Sequence, residues 1–206
     1  MFCSDFDSLV KRLEHRGFAV HPAANGADAL AIGLSFINDG SVGFGGSMTV
    51  KELGLYDALA SRGNTLYSHW HATTPADGDE VRKAAATADW YVASTNALLR
   101  DGRLVNTDGT GNRVSSMIMG PKNVLLFIGK NKLAEDLDSG IARFKRETCP
   151  RNARRLNFNE LPCGITGECN DCASDQRMCR VTTIIERVPR AIGSFHLVLI
   201  DEEIGW

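Results

Sequence analysis

The segment Thr95–Met117, TNALLRDGRLVNTDGTGNRVSSM, is rich in polar residues and glycine, yet apolar runs flank it on both sides (WYVAS before it, VLLFIG after it). A polar segment held between buried strands is typical of a site built on a rigid scaffold. Within it, Asp101-Gly102 is a hairpin signal, and Leu104-Val105 resumes the strand pattern. The segment therefore predicts a hairpin, after which the chain enters a more polar loop.

That loop, Asp108–Asn112, contains two glycines and leads into VSSMIM, which can open a helix. Glycines let backbone N–H groups turn toward a ligand, and the N-terminus of the following helix favours an anion. Arg113, in the first turn, could hold a carboxylate or phosphate in a bidentate fork. Spacing alone supports a simple helix cap equally well. The candidate ligand-binding residues here are Asn106, Gly109, Thr110, Gly111, Asn112 and Arg113.

A second glycine-rich loop, Gly43–Ser47, lies between a predicted strand and a predicted helix. Its glycines permit close approach to a phosphate or carboxylate, and hydroxyl groups follow at Ser47 and Thr49. The loop matches neither the Walker motif nor the G-x-G-x-x-G motif, so no nucleotide cofactor is evident. A tight turn with a Thr49–Glu52 capping box is the alternative. The candidate ligand-binding residues here are Gly43, Gly45, Gly46, Ser47, Thr49 and Glu52.

Predicted strands and helices alternate at βαβ spacing up to about residue 148. This alternation predicts an α/β fold with a mainly parallel, twisted sheet that is covered by helices on both faces. A cysteine-rich loop and short strands at Thr182–Arg187 and Phe195–Ile200 complete the chain. We expect one domain over residues 1–206, with a cysteine-rich appendage at about 150–181.

Three polar stretches, 43–49, 94–96 and 106–113, each follow a predicted strand. Ligands of open α/β sheets bind at the carboxyl ends of the strands. The sequence therefore indicates that these stretches could converge on one pocket.

Three element boundaries are predicted from local signals. A helix begins at Ser4, a strand covers Asn64–Trp70, and a helix covers Leu133–Thr148 and stops before Pro150. Proline is the stop signal in the last case, because its ring disfavours a helical residue before it.

The composition excludes several classes of protein. A chain of 206 residues with 43% apolar residues can bury a full core, and a formal charge of −2 gives no basic surface for nucleic acid. No apolar run approaches the roughly 18 residues that span a bilayer, and the acidic N-terminus is unlike a signal peptide. We expect a cytoplasmic protein whose cysteines are thiols, ligands or redox groups rather than structural disulfides.

The C-terminal cysteines have the spacing C-x5-C-x2-C-x6-C. Two thiolates separated by two residues can share one tetrahedral centre, and four thiolates suit Zn²⁺ or an iron–sulfur cluster. The spacing does not choose between these cofactors, and redox-active or inert buried thiols stay as alternatives. Cys149 is a spare ligand in this scheme. The candidate metal ligands are Cys163, Cys169, Cys172 and Cys179.

Three blocks of the chain, Ser41–Leu55, Ala88–Arg113 and Pro162–Val181, resemble the lactate-utilisation (LUD) domain family, in its short subgroup with a cysteine-rich tail. The chain is also similar to the wider isomerase/CoA-transferase-like α/β superfamily. The resemblance implies a subunit or enzyme that binds a small organic-acid anion in a redox pathway such as the oxidation of lactate to pyruvate. It further implies iron–sulfur partner proteins, and a homo-oligomer stays open.

The resemblance also bears on catalysis. Sugar-phosphate isomerases of this superfamily use an aspartate at the position of Asn96, and an amide cannot exchange a proton near neutral pH. Asn96 could still orient a substrate, and Asp108 is the nearest carboxylate; these two are the candidate catalytic residues. CoA transferases use a glutamate, for which Glu52 is the candidate. A noncatalytic metabolite sensor or assembly subunit, a CoA transferase and an isomerase-like enzyme are the alternative functions.

Overall fold

A computed structural model gives the fold, and it describes residues 6–206. The strands, in chain order, are β1 (Ala19–Ala23), β2 (Ser41–Phe44), β3 (Thr65–Ser68), β4 (Trp90–Ala93), β5 (Ala97–Leu99), β6 (Leu104–Asp108), β7 (Asn123–Gly129), β8 (Leu133–Ala134), β9 (Val181–Ile185) and β10 (Ser194–Ile200). The α-helices are α1 (Phe6–His15), α2 (Gly26–Phe36), α3 (Met48–Glu52), α4 (Leu55–Ser61), α5 (Pro75–Ala86), α6 (Asn112–Ile118), α7 (Leu137–Arg143), α8 (Cys149–Arg155) and α9 (Pro162–Thr166).

The main sheet has six parallel strands in the order β1-β10-β7-β4-β2-β3. Strands β7 and β10 are central and almost continuously apolar, as expected of strands buried on both faces. Helices α2, α3 and α4 cover one face, and α1, α5 and α6 cover the other. The predicted α/β class, with a mainly parallel sheet and helices on both faces, is confirmed.

A smaller sheet, in the order β8-β5-β6-β9, packs beside the main one. The predicted hairpin at Asp101-Gly102 is confirmed: β5 and β6 are antiparallel, and the Gly102 N–H donates to the Leu99 carbonyl at 2.8 Å. Strand β9 pairs with β6 along its full length. The polypeptide that follows the cysteine-rich region is therefore anchored directly to the strand that ends at Asp108.

Three local predictions need correction. The strand predicted to reach Trp70 ends at Ser68, and a 3₁₀ turn follows at His69–His71. The cap of α3 is Ser47, whose hydroxyl accepts from Val50 N at 3.3 Å, so the Thr49 capping box is wrong. Thr49 lies inside that helix instead. The predicted start of the first helix at Ser4 lies outside the described residues.

The third correction concerns Leu133–Thr148. Leu133 pairs with Leu98 of β5, so the segment begins as a short strand and not as a helix. Helix α7 then runs without a break through a π-helical stretch, Phe144–Thr148, into α8. Pro150 does not stop the helix: it lies directly after the π-helical stretch, where the Cys149 N–H donates to the Phe144 carbonyl five residues back, so the hydrogen-bond ladder already departs there from the i→i−4 pattern that proline interrupts. Across residues 6–206, no helix has the length and apolar character needed to cross a membrane.

Replacement of Gly43 by alanine should destabilise the fold. Strand β2 lies so close to α5 that a Cβ atom on Gly43 would overlap the Ala85 carbonyl oxygen. Backbone must shift to relieve such overlap, and we expect a loss of about 1–3 kcal/mol in the free energy of unfolding. The measurement is urea unfolding of Gly43→Ala beside the wild type.

A matched control lies in α5 itself. A Cβ atom on Gly78 would meet nothing closer than an Arg82 nitrogen at 3.4 Å, so Gly78→Ala should be neutral or stabilising by about 0.5–1 kcal/mol. Equal destabilisation by the two substitutions would contradict the close approach of β2 and α5.

Candidate functional site

A cavity of about 620 Å³ opens at the carboxyl ends of β2, β4 and β7. Gly45–Ser47 follows β2, Ser94–Asn96 follows β4, and Lys132 lies three residues after β7. The 107–113 segment and residues 175–178 of the C-terminal region close the other sides. The structure thus brings the three polar stretches of the sequence analysis to one cavity.

The predicted ligand-binding residues divide into two groups. Those on the cavity wall are Gly45, Gly46, Ser47, Gly109, Thr110, Asn112 and Arg113, together with the candidate catalytic residues Asn96 and Asp108. Those that do not line it are Gly43, Thr49, Glu52, Asn106 and Gly111. Gly43 packs against α5, and Glu52 accepts a hydrogen bond from Gly205 N at 2.7 Å. These residues support the structure of the site, but they do not form part of the cavity wall.

The loop after β2 needs glycine for steric reasons. A Cβ atom on Gly45 would lie 2.9 Å from the Tyr91 hydroxyl and 3.0 Å from Cγ of Arg113. Gly46 has a φ of +69°, and a Cβ atom there would lie 2.9 Å from Cε1 of His69. Only glycine allows the backbone to pass this close to both walls of the cavity.

Arg113 connects the polar loops through hydrogen bonds, and its side chain is almost fully buried. Its Nη1 donates to Ser94 O at 3.1 Å and to Asn106 Oδ1 at 2.7 Å. Its Nη2 donates to Asn96 Oδ1 at 2.8 Å and to Thr107 O at 2.6 Å. Burial lowers the pKa of Arg113, which Asp108, 3.8 Å from its Nε, counteracts. Both Nη groups, which could otherwise have bound a ligand anion, therefore donate their hydrogen bonds to protein oxygens.

Asn96 and Asp108 are held by backbone groups as well. The Asn96 side-chain oxygen also accepts from Thr107 N at 2.9 Å, so the amide has one fixed orientation. Asp108 Oδ1 accepts from Thr110 N at 3.1 Å and Gly111 N at 2.8 Å. Asp108 therefore closes the turn before α6, whose N-cap residue is Gly111, and does not cap the helix itself, while still lining the cavity.

Lys132 is a functional candidate that the sequence analysis missed. Its side chain is buried, with 2% of its surface exposed, and it lines the cavity. The ammonium group donates to Thr49 Oγ1 at 2.8 Å, Ser94 Oγ at 3.0 Å and the backbone oxygen of Trp206, the last residue of the sequence, at 3.3 Å. The two side-chain acceptors are uncharged hydroxyl groups, and no Asp or Glu side chain within residues 6–206 forms an ion pair with Lys132.

Burial is the main cause that lowers the pKa of Lys132 to about 7, and the positive charges of Arg143 and Arg113 add to it. Glu52 acts in the opposite direction but is the smallest of these influences. A pKa near neutrality in a cleft is typical of functional sites. One signal could have found this residue: Lys130-Asn131-Lys132 is a polar stretch directly after a buried strand, like the three stretches already singled out.

Arg143 fixes the loop that carries Lys132. Its Nε donates to Asn131 O at 2.6 Å, and its Nη1 donates to Asn96 O at 2.8 Å. The loops after β7 and β4 are thereby held to one guanidinium. Burial lowers the pKa of Arg143 to about 10.

The mouth of the cavity carries His69, Trp70 and several arginines. Burial, together with the charges of Arg82 and Arg155, lowers the pKa of His69 to about 4, while Asp108 acts in the opposite direction. His71, two residues further along the chain, stacks on Tyr56 with ring centres 3.9 Å apart. The two histidines therefore face different surroundings and do not share a site.

The cysteine-rich region forms one side of the cavity. Cys149 is buried and lines it, and Cys163 and Cys179 pack against the same apolar cluster. Cys169 is exposed. Burial raises the pKa of Cys163, and the charges of Cys172, Cys169 and Cys179 add to this effect. Across residues 6–206, no three His, Cys, Asp or Glu side chains are arranged to hold a metal ion.

Cys149 and Cys179 influence each other's protonation. The interaction with Cys179, together with burial, raises the pKa of Cys149, and the interaction with Cys149 lowers the pKa of Cys179, to which Arg177 contributes. The pair links the start of α8 to the residues that precede β9.

Replacement of Lys132 by methionine should change how stability depends on pH. The folded state releases the Lys132 proton near pH 7, whereas the unfolded state holds it up to the ordinary pKa of 10.5. Because the unfolded state binds more protons in this window, the wild type gains stability as the pH rises from about 7 to 10.5, by up to about 1.4 kcal/mol per pH unit. Lys132→Met should lack that gain, as measured by urea unfolding at pH 7 and pH 9.

The matched control is Lys130→Met, since Lys130 is partly exposed and lies 3.6 Å from Asp201. This variant should keep the wild-type pH dependence. Identical slopes for the wild type and Lys132→Met would show that Lys132 is not buried as a cation with a lowered pKa.

Comparisons with known proteins agree on the family and the fold. The model of the LUD domain family matches residues 6–200. The crystal structure of a DUF162 family protein from Deinococcus radiodurans superposes with a TM-score of 0.55 at 9% sequence identity, covering 97% of this chain and 98% of that one. A comparison with curated proteins finds no match. The chain belongs to the LUD domain family, which is associated with lactate utilisation.

Proposed function

We propose that the chain binds a small organic-acid anion in this cavity, as a subunit or enzyme of a redox pathway such as the oxidation of lactate to pyruvate. The observation that carries this proposal is Lys132. Its ammonium group is buried, lines the cavity and has no Asp or Glu side chain as an ion-pair partner among residues 6–206.

The energetic argument begins with charge. A buried ion without a partner costs several kcal/mol of solvation, and here two arginines nearby add repulsion. An anion that enters the cavity offsets both effects at once. Part of the folding free energy is therefore lost in maintaining a site that an anion can enter.

The surrounding groups would orient such an anion. The loop Gly45–Ser47 brings backbone close to the ligand, and the fixed Asn96 amide can hydrogen-bond a carboxylate or hydroxyl oxygen. Asp108 lines the same wall and can accept from a ligand hydroxyl group. A 2-hydroxy acid or 2-oxo acid matches this set of one cation, amide and carboxylate. Electrons would pass to iron–sulfur partner proteins.

A noncatalytic sensor or assembly subunit is the second candidate. Asn96 cannot exchange a proton, and Asp108 already caps the backbone of Thr110 and Gly111. Binding without turnover, with an electron acceptor supplied, would favour the sensor. The CoA-transferase alternative has less support, because Glu52 lies off the cavity wall and bonds to Gly205. Isomerase-like chemistry has less support because Asn96 replaces the aspartate.

We also propose that Cys163, Cys169, Cys172 and Cys179 hold a zinc ion or an iron–sulfur cluster. Four thiols within 17 residues of sequence have a donor chemistry that fits either group. Cys169 is exposed, so a centre bound by all four thiols requires its loop to close over the other three. A zinc ion would stabilise the fold of the appendage, whereas an iron–sulfur cluster would transfer electrons beside the cavity.

Anion affinity should fall as the pH rises above about 7. Lys132 attracts an anion only while protonated, so binding raises its pKa and weakens by up to tenfold per pH unit once the free lysine is neutral. Calorimetric titration with lactate and with pyruvate from pH 6 to pH 8.5 measures this dependence. Lys132→Met should weaken binding at pH 6 by about 1.5–3 kcal/mol, the value of a charged hydrogen bond, and should abolish the pH dependence.

Lys130→Met should keep both the affinity and its pH dependence, because Lys130 does not line the cavity. If neither acid binds the wild type, or if both bind Lys132→Met as tightly, the anion proposal fails.

Protein purified without oxygen should contain a metal centre bound by the tail. Iron with acid-labile sulfide and visible colour would identify a cluster, and colourless protein with about one zinc per chain would identify a structural ion. The double variant Cys169→Ser, Cys172→Ser should lose the metal, and Cys149→Ser should keep it. A wild-type protein without metal under these conditions would contradict the proposal.

A further inference from the structure

The cavity is larger than a three-carbon acid requires. Such an acid has six or seven non-hydrogen atoms, and it occupies no more than roughly six or seven times the ~30 Å³ of a water molecule. About two thirds of the 620 Å³ is therefore left once a small acid lies against Lys132. The residues around the remaining space decide what else the ligand carries.

Two arginines and a histidine border that space, and we call them the arginine–histidine subsite: Arg82, Arg155 and His69, all on the cavity wall. Arg82 and His69 also line a second cavity, formed with residues 72–79, which Lys132 does not line. These two residues therefore lie on a side of the main cavity that extends away from Lys132.

Arg82 has a donor without a partner. Its Nη1 bonds to Asp79 at 2.8 Å, but its Nε is buried and has no hydrogen-bond acceptor within residues 6–206. A buried donor left in this state is costly, and a ligand oxygen would satisfy it.

Arg155 is also held in place without a charged partner. Its Nε and Nη2 both donate to the neutral Asn152 side chain, at 3.1 and 2.7 Å. Its guanidinium lies 4.8 Å from the centre of the Trp70 ring, which fixes its plane. Among residues 6–206, no carboxylate forms an ion pair with Arg155.

Two guanidinium groups and an imidazole form a donor set suited to a dianion with three exposed oxygens. We propose that the ligand is a carboxylic acid that also carries a phosphoryl group, with its carboxylate at Lys132 and its phosphoryl group at the arginine–histidine subsite. This inference rests on the proposed anion-binding function and names the class of its ligand.

Matched pairs of acids test the proposal by calorimetry at pH 6.5, with glycerate beside 3-phosphoglycerate and glycolate beside 2-phosphoglycolate. In at least one pair, the phosphorylated acid should bind the wild type at least tenfold more tightly. Arg82→Gln should reduce that ratio to less than threefold while leaving the affinity for the plain acid within twofold. Lys83→Gln, an exposed neighbour on α5 paired with Glu80, is the matched control and should keep the ratio.

The outcomes separate this inference from the proposed function. Lys132→Met should weaken both members of a pair and leave their ratio unchanged. If plain acids bind through Lys132 but neither phosphoryl group adds affinity, the subsite assignment is wrong and the anion proposal stands. If malate, a dicarboxylate, gains as much affinity over the plain acids as the phosphorylated acids do, the phosphoryl assignment is also wrong. If no acid of either kind binds, both proposals fail.

Discussion

The guanidinium group of Arg113 is the interaction on which the rest of the site depends. It lies between the loop after β4 and the end of β6, and therefore between the two sheets. Its donors are coplanar and fixed, so the acceptors on both sheets must keep one relative position. The ammonium group of a lysine could not impose this geometry. Through β6 and its partner β9, the same constraint positions the C-terminal region against the cavity.

The site keeps positive charge inside the protein, and that arrangement works against stability. Arg113 and Arg143 donate to backbone and amide oxygens, and Lys132 donates to two hydroxyl groups and a backbone oxygen. Hydrogen bonds to hydroxyl and amide groups orient a cation without neutralising it, and Asp108, 3.8 Å from Arg113 Nε, partly balances the charge of Arg113. A chain selected only for stability would replace these residues with apolar ones. Their presence together, at the carboxyl ends of a parallel sheet, is the arrangement on which the anion-binding proposal rests.

The sequence predicts the sheet better than the site. Apolar runs such as β7 and the glycine signals around the hairpin depend only on neighbouring residues in the sequence. The fold class and the convergence of the polar loops can therefore be predicted from them. The strand at Leu133–Ala134 does not, because two residues have no periodicity and the strand exists only through its pairing with β5. Arg113 shows the limit for side chains: its type indicates anion binding, but its direction depends on acceptors distant in sequence. Lys132 is harder still, since only Thr49 and Ser94 make its burial possible.

The π-helical stretch Phe144–Thr148 determines which face of α8 lies against the cavity. A π turn closes its hydrogen bonds over one residue more than an α turn. Each residue rotates a helix by about 100°. Cys149, Asn152 and Arg155 follow the π turn at intervals of three and share the face that lines the cavity. Deletion of one residue from the π turn would rotate α8 by about 100° and turn these three side chains away from the cavity.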